Sequence, residues 1–290
     1  MRGKAEAISH GAATIVNAIA IGKGGAIGVD LWTKASVELT DQPGIIKGSI
    51  ASDPTEDPIL IEKAVNRVFH HFNVEERFGA KVSTWSNIPI ARGLKSSSVA
   101  ANAITLAAVA ALNKQMDDMT MVNLGVDAAM DAKVTITGAF DDACASYFGG
   151  VAITDNLKRR IIKRFNVAAD LIVLFHIPEW KTYTINSDVR RMKSVASLVK
   201  IAYKEATKGN YWAALTLNGL IYSSALGYNP SIAIDALIAG ALAAGLSGKG
   251  PAVTAIVTNE KIDCVKEAWE AYEGDILQAH VNHEKARVIG

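Results

Sequence analysis

Apolar and polar positions alternate along "AIGVDLWTKASVEL", which puts Val29, Leu31, Thr33, Ala35 and Val37 on one face. That period of two predicts a strand. Small and β-branched residues mix from Ala5 to Ala20 before it, and "GKGG" (Gly22–Gly25) reads as the intervening turn. After the turn "DQPG" (Asp41–Gly44), "IIKGSIA" reads as the partner strand. The period then changes. In "DPILIEKAVNRVFHHF" the apolar residues Ile61, Val65, Val68 and Phe72 form a helical stripe. "AKVSTWSNIP" is strand-like, and two helices follow, at about Ser97–Leu112 and about Met119–Lys133. "VTITGAFDDACASYFGGVAITDN" reads as a loop, a short helix and a strand.

The texture restarts after Asn156. "ADLIVLFHIP" (Ala169–Pro178) reads as a buried strand, and helices are expected near Asp188–Lys208, Tyr211–Ser223 and Ser231–Ala244. "LSGKGPAVTAIVT" is a glycine loop feeding a strand, "EKIDCVKEAWEAY" an amphipathic helix, and "DILQAHVNHEKARVI" a closing strand. Strands and helices do not alternate in a strict βα rhythm, so a doubly wound parallel sheet is disfavoured. The expectation is an α+β chain of two lobes, residues 1–155 and 156–290, with no fixed-period repeat.

Half of the 290 residues are apolar, enough for a sizeable core. Lysine and arginine number 30 against 29 acids. That balance argues against a nucleic-acid partner, whose binding rests on excess positive charge. The low-charge runs Ser96–Leu112 and "SIAIDALIAGALAAGL" are short for a membrane span. The N-terminal "MRGKAEAISHGAATIV" lacks the pattern of a signal peptide. Cys144 and Cys264 have no metal or redox spacing, and the six histidines are scattered. A cytoplasmic protein without a membrane or nucleic-acid partner is expected.

Three segments carry candidate chemistry. In "PIARGLKSSSVA", Pro89 and Gly93 precede a lysine and three serines at a helix start. One serine would serve as a cap. The others admit a second reading, in which loop amides, the helix N-terminus, Lys95 and the hydroxyls hold a phosphate. No GK[ST] signature occurs, so this is not a Walker loop. In "TGAFDDACASYFGG", Asp141 and Asp142 are either first-turn acids favoured by the helix dipole or groups that orient and deprotonate a hydroxyl. The glycines of "GLSGKGPAVTAIV" mark a strand-entry loop or a close approach to a ligand.

Taken in order, the three segments resemble the GHMP kinase superfamily. Its central Pro-x-x-x-Gly-Leu-x-Ser-Ser motif is matched by Pro89, Gly93, Leu94, Ser96 and Ser97, and its third motif by Ser247, Gly248, Gly250 and Pro251. Within it, "GLKSSS" (Gly93–Ser98), "TGAFDDA" (Thr137–Ala143) and the opening NAI-x-x-GKG-x-A (Asn17–Ala26) resemble the archaeal-type shikimate kinases over nearly the whole chain.

The resemblance implies a ribosomal S5-like first lobe, a ferredoxin-like second lobe, and a nucleotide between them. It implies that Pro89, Ile90, Ala91, Arg92, Gly93, Leu94, Lys95, Ser96, Ser97 and Ser98 wrap the ATP phosphates, and that Gly248 and Gly250 also bind the nucleotide. Ser97 matches the serine that approaches Mg2+, and Asp131 lies where relatives place a magnesium-binding acid. Asp141 matches the aspartate at the phosphoryl-accepting hydroxyl, and Asp142 is expected to face substrate. Lys23 is the candidate to assist Asp141, against a solvated turn lysine. A carboxylate acceptor suits arginine, which binds it bidentately; the candidates are Arg92, Arg190 and Arg191. The implied activity is ATP-dependent phosphorylation of shikimate to shikimate 3-phosphate. Mevalonate or homoserine as acceptor, or a non-catalytic nucleotide or metabolite sensor, are the alternatives.

Overall fold

The computed structural model describes residues 3–168, 170–180 and 188–289. The chain opens with two long antiparallel strands, β1 (Lys4–Val16) and β2 (Lys23–Thr40). Their register slips between His10 and Gly11 and again between Thr14 and Val16, which bends the pair. The turn expected at Gly22–Gly25 lies earlier, because Lys23 already begins β2. Gly22, at φ 67, closes it by donating its N–H to Ala18 O at 2.7 Å.

β3 (Ile46–Ile50), α1 (Ile59–Phe72) and β4 (Gly79–Ser86) come next. β3 does not partner β2 as the sequence suggested. It pairs in parallel with β4, and β4 lies antiparallel to β2. A parallel pair needs a crossover, and α1 supplies it, burying Ile61, Val65, Val68 and Phe69 on the way. Then follow α2 (Ser96–Ala111), α3 (Asp118–Asp131), α4 (Phe140–Phe148), β5 (Val151–Asp155) and β6 (Arg160–Phe165). β4 pairs with the C-terminal half of β2 and β5 with its N-terminal end, so the sheet forks along this one strand. β6 extends the fork from β5. The sequence reading missed it because "RIIKRF" is largely exposed and has no buried face to set a period.

The second half holds β7 (Ile172–Ile177), α5 (Val189–Ser194), α6 (Ala196–Lys208), α7 (Tyr211–Leu226), α8 (Ser231–Ile238), β8 (Ala243–Leu246), β9 (Val253–Val257), α9 (Ile262–Trp269), β10 (Asp275–His280) and β11 (Arg287–Val288). A four-stranded antiparallel sheet runs in the order β10-β7-β9-β8. Ala169, where the β7 strand was expected to start, lies outside the described residues. The helix expected over Asp188–Lys208 breaks at Val195 into α5 and α6. The one expected over Ser231–Ala244 ends at Ile238; Gly240, at φ 106, turns the chain, and Ala243 begins β8. The closing strand is also two strands. β10 stays in the second sheet, whereas β11 returns to pair with β1.

Two apolar clusters follow from this layering. One joins Val37, Leu39, Val65, Phe69, Ile104, Phe140 and Tyr147, and packs the first sheet against α1 to α4. The other joins Ile15, Ile27 and Val29 to Phe175, Val199, Leu215, Tyr222 and Trp269, so the halves share a core. Polar bonds then fix α2 against α4. Buried Asn102 on α2 donates from Nδ2 to Ala143 O at 3.0 Å and to Ser146 Oγ at 3.2 Å on α4. The N-terminal turns of α2 and α4 thereby hold one relative position. Among the described residues no helix is long and apolar enough to cross a membrane.

Candidate active site

A cavity of about 610 Å³ opens over those two helix starts. Ile50, Leu60, Ile90 and Ile136 give it apolar wall. Thr14, Asn17, Lys95, Asp141, Asp142 and Lys249 give it polar wall. Lys249 comes from the loop between β8 and β9, so both halves of the chain contribute.

The loop before α2 lines the cavity with Ile90, Ala91 and the run Gly93–Ser98; Pro89 and Arg92 are not in the lining. Its backbone is unusual. Ala91, Gly93 and Lys95 have φ of 59, 88 and 65, a region that side chains rarely adopt. None of the three serines caps the helix. Lys95 holds the N-cap in a left-handed conformation, no side chain bonds the helix start, and Ser96, Ser97 and Ser98 form the first turn. An uncapped helix start with hydroxyls beside it suits an anion. The loop also grips the second half of the chain: Ser247 Oγ donates to Gly93 O at 2.9 Å, and Ala252 N–H donates to Arg92 O at 3.2 Å. A Cβ on Gly93 would lie 2.9 Å from Gly250 O, so only glycine allows this approach.

Asp141 and Asp142 occupy the first turn of α4, which also starts from a left-handed residue, Ala139, without a side-chain cap. Both are buried, at 3% and 6% exposure. Asn156 Nδ2 donates to Asp141 Oδ1 at 2.7 Å. Asp142 Oδ2 lies 3.4 Å from Lys95 Nζ, while its Oδ1 has no hydrogen-bond partner. Gly24 abuts Asp141 so closely that a Cβ there would collide with Oδ2. Burial pushes the Asp141 carboxyl up to about 7; the neighbouring Asp142 charge pushes the same way, and the Asn156 bond opposes both. Burial also raises Asp142, opposed by Lys95. Burial, then the Lys95 charge, lower the Lys249 ammonium to about 8.

A buried carboxyl with a raised affinity for its proton, in one cavity with an uncapped helix start, is an arrangement that suits phosphoryl transfer. The comparisons agree. The model "GHMP kinases N terminal domain" matches residues 60–150. A shikimate kinase of Methanothrix thermoacetophila is 46% identical over 99% of this chain and 96% of its own. One of Pyrococcus furiosus is 44% identical over 96% of this chain and 98% of its own. The chain belongs to the shikimate kinases of the GHMP superfamily. Solved structures share the two-lobed fold at low identity. A homoserine kinase from Cytophaga hutchinsonii superposes with a TM-score of 0.75 at 16% identity, covering 100% of this chain and 98% of that one. The Methanococcus jannaschii mevalonate kinase does so at 0.74 and 15%, covering 97% and 98%.

Within this GHMP kinase, some expected residues stand away from the cleft. Lys23 is 47% exposed and its Nζ lies 3.9 Å from Asp155 Oδ2. Neighbouring strand residues face opposite sides, and Gly24 takes the side of Asp141. Asp131 does not line the cavity; Arg67 Nε and Nη2 hold its two oxygens at 2.6 and 2.8 Å on the surface. Arg190 and Arg191 are exposed on α5 and do not line the cavity. The Arg92 guanidinium donates to Pro178 O, which makes it a tie between the halves rather than a group in the cleft. The sequence reading missed Thr14, Asn156 and Lys249. Lys249 stood inside the quoted glycine loop, and Asn156 had no motif to mark it.

Proposed function

We propose that the chain transfers the γ-phosphoryl group of ATP to the 3-hydroxyl of shikimate, giving shikimate 3-phosphate and ADP. The observation that carries this reading is Asp141, buried in the same cavity wall as the uncapped start of α2. Its family membership gives the acceptor.

The polyphosphate lies along Gly93–Ser98, where loop amides and first-turn hydroxyls meet its oxygens. Lys95 adds positive charge beside the transferred group and stays tethered by Asp142. Asp141, held by Asn156, accepts a hydrogen bond from the acceptor hydroxyl and takes its proton as the oxygen–phosphorus bond forms. The bond from γ-phosphorus to the bridging oxygen breaks, and its electrons leave with ADP. Burial keeps Asp141 from being a weak, solvated carboxylate, so its affinity for a proton is raised toward the working pH.

Among the described residues no three His, Cys, Asp or Glu side chains are grouped to hold a metal. Mg2+ does not need such a cage, since it keeps waters and takes phosphate oxygens with one or two protein ligands. The Ser97 hydroxyl and the unpartnered Asp142 Oδ1 are oxygen donors of that kind, and the donor set fits. The ion would supply charge neutralisation on the phosphates. We place the reaction in the cytoplasm, where the exposed Cys264 thiol stays reduced.

The test is ADP release from Mg-ATP with shikimate, mevalonate or homoserine as acceptor. Shikimate-dependent ADP is expected. Turnover of mevalonate alone would overturn the acceptor, and nucleotide binding without acceptor-dependent ADP would favour a sensor.

A further inference from the structure

We propose that Thr154 is a positioning residue for the transfer: its hydroxyl locks the Asn156 amide, and the locked amide holds Asp141 for the acceptor hydroxyl. The inference rests on the shikimate kinase reading and adds to it a side chain that stands behind the cleft. Neither Thr154 nor Asn156 lines the cavity.

Thr154 follows Val151, Ala152 and Ile153 on β5, all apolar and fully buried, and is fully buried itself. A hydroxyl taken out of water there costs stability unless it is bonded, and a valine would fill the same space without that cost. The hydroxyl has a specific partner. Thr154 Oγ1 donates to Asn156 Oδ1 at 2.6 Å, while the other acceptor in reach, Gly24 O, lies at 3.4 Å. A hydroxyl has one hydrogen, and the short bond takes it.

The register brings these groups together. Gly24 and Thr154 are direct partners in the antiparallel pair of β2 and β5, so they face the same side of the sheet. The space left by the missing side chain of Gly24 is filled by Asp141, whose Oδ2 a Cβ there would strike. Asn156 comes two residues after Thr154, and its N–H donates to Gly22 O at 2.9 Å, which anchors it beside β2. The strand is braced from the second half as well: the Tyr203 hydroxyl on α6 donates to Thr154 O at 3.2 Å.

A side-chain amide has a donor end and an acceptor end. Asn156 gives its donor end, Nδ2, to Asp141 Oδ1 at 2.7 Å, and its acceptor end to Thr154. With both ends bonded the amide keeps one orientation. Without the hydroxyl, Oδ1 would be buried with no donor, and turning it toward another donor would take Nδ2 off Asp141. At 4% exposure Asn156 has little water to stand in for the hydroxyl. Asp141 would then lose the contact that fixes its carboxylate against the acceptor.

The experiment measures kcat, KM for shikimate, KM for Mg-ATP and melting temperature in Thr154→Val, Thr154→Ser, Asn156→Ala and the double variant Thr154→Val/Asn156→Ala. Thr154→Val should lower kcat by about 10- to 100-fold, the range that small misplacement of a reacting group costs, with both KM values little changed. Thr154→Ser should recover most of what valine loses. A packing role would give the reverse order, because valine keeps the shape of threonine and serine lacks its methyl group. Asn156→Ala should lower kcat at least as far as Thr154→Val. Adding Thr154→Val to it should cost little more, because the hydroxyl acts through the amide. If the valine variant does not fold, Thr154→Ala and Thr154→Ser differ by the hydroxyl alone, and the alanine should show the same drop in kcat. Wild-type kcat in Thr154→Val, a serine variant slower than the valine one, or fully additive losses in the double variant would each overturn the inference with the kinase reading intact. A wild type without shikimate-dependent ADP would overturn the functional reading, and the inference with it.

Discussion

Lys95 Nζ lies 3.4 Å from Asp142 Oδ2, and the lysine reaches it from a left-handed backbone at φ 65. The pair ties the N-cap of α2 to the first turn of α4. Removing one partner leaves a buried charge, which typically costs about 3–5 kcal/mol unless the survivor is neutralised. Asp142 can take up a proton, so the loss should depend on pH. Lys95→Met is expected to lower the melting temperature more at pH 8 than at pH 5, and to lower turnover at both. Adding Asp142→Asn should recover part of the stability and none of the turnover. Thermal unfolding of the two variants across pH checks this; a pH-independent loss would contradict it.

Asp141→Asn should lower kcat by about 10²–10⁴-fold, the usual worth of a positioned base. Its stability should move the other way. Burial, then the Asp142 charge, push the folded carboxyl up to about 7 from the ordinary value of 3.8, so the fold binds this proton more tightly than the open chain. Stability is therefore lost as pH rises from about 4 to about 7, and the loss is complete above that. The asparagine variant should melt higher than the wild type at pH 8, with the gain fading toward pH 4. In the wild type, kcat/KM should rise with pH through about 7. A flat profile between pH 5 and 9 would remove Asp141 from the mechanism.

The strand that carries Lys23 and Gly24 offers a paired test. Lys23 does not line the cavity and its Nζ lies 3.9 Å from Asp155 Oδ2, so Lys23→Ala should keep turnover near that of the wild type. Gly24→Ala places a methyl group against Asp141 Oδ2 and should cut kcat strongly, since small misplacement of a reacting group can cost about 10²-fold. Comparable kcat in the two variants would show that the contact with Asp141 does not matter.

Asp131→Ala breaks a surface pair with Arg67. Exposed pairs of this kind contribute about 0.2–1 kcal/mol. The variant should lose little stability and keep the magnesium dependence of the wild type. Ser97→Ala should instead demand more Mg2+ for half-maximal turnover. Titrating Mg2+ against initial rate separates the two positions; a raised requirement in Asp131→Ala would return that residue to the metal site.

Much of the site was legible because its segments are local. The glycine–lysine–serine run, the paired aspartates and the glycine loop each advertise unusual backbone or surplus polar groups within a few residues. What failed was direction and pairing. Lys23 and Gly24 are adjacent, yet the side-chain alternation of β2 sends one toward Asp155 and the other against Asp141. Asp131 looked available until α1 brought Arg67 beside it. β3 looked like the second arm of a hairpin, but α1 carried the chain over so that β4 came between.

The sequence by itself determined the α+β character, most of the strands and helices, and the three segments that meet in the cleft. Each of those follows from the transfer of single side chains out of water and from local backbone preference, which short windows of sequence record. Only the tertiary structure decided that the serines are a first turn rather than caps, that Lys95 serves Asp142, and that Asn156 holds Asp141. It also decided that lysine and not arginine lines the cleft among the described residues. These depend on which distant groups lose water together, because charge and hydrogen bonding act between whatever side chains the fold brings within a few ångströms.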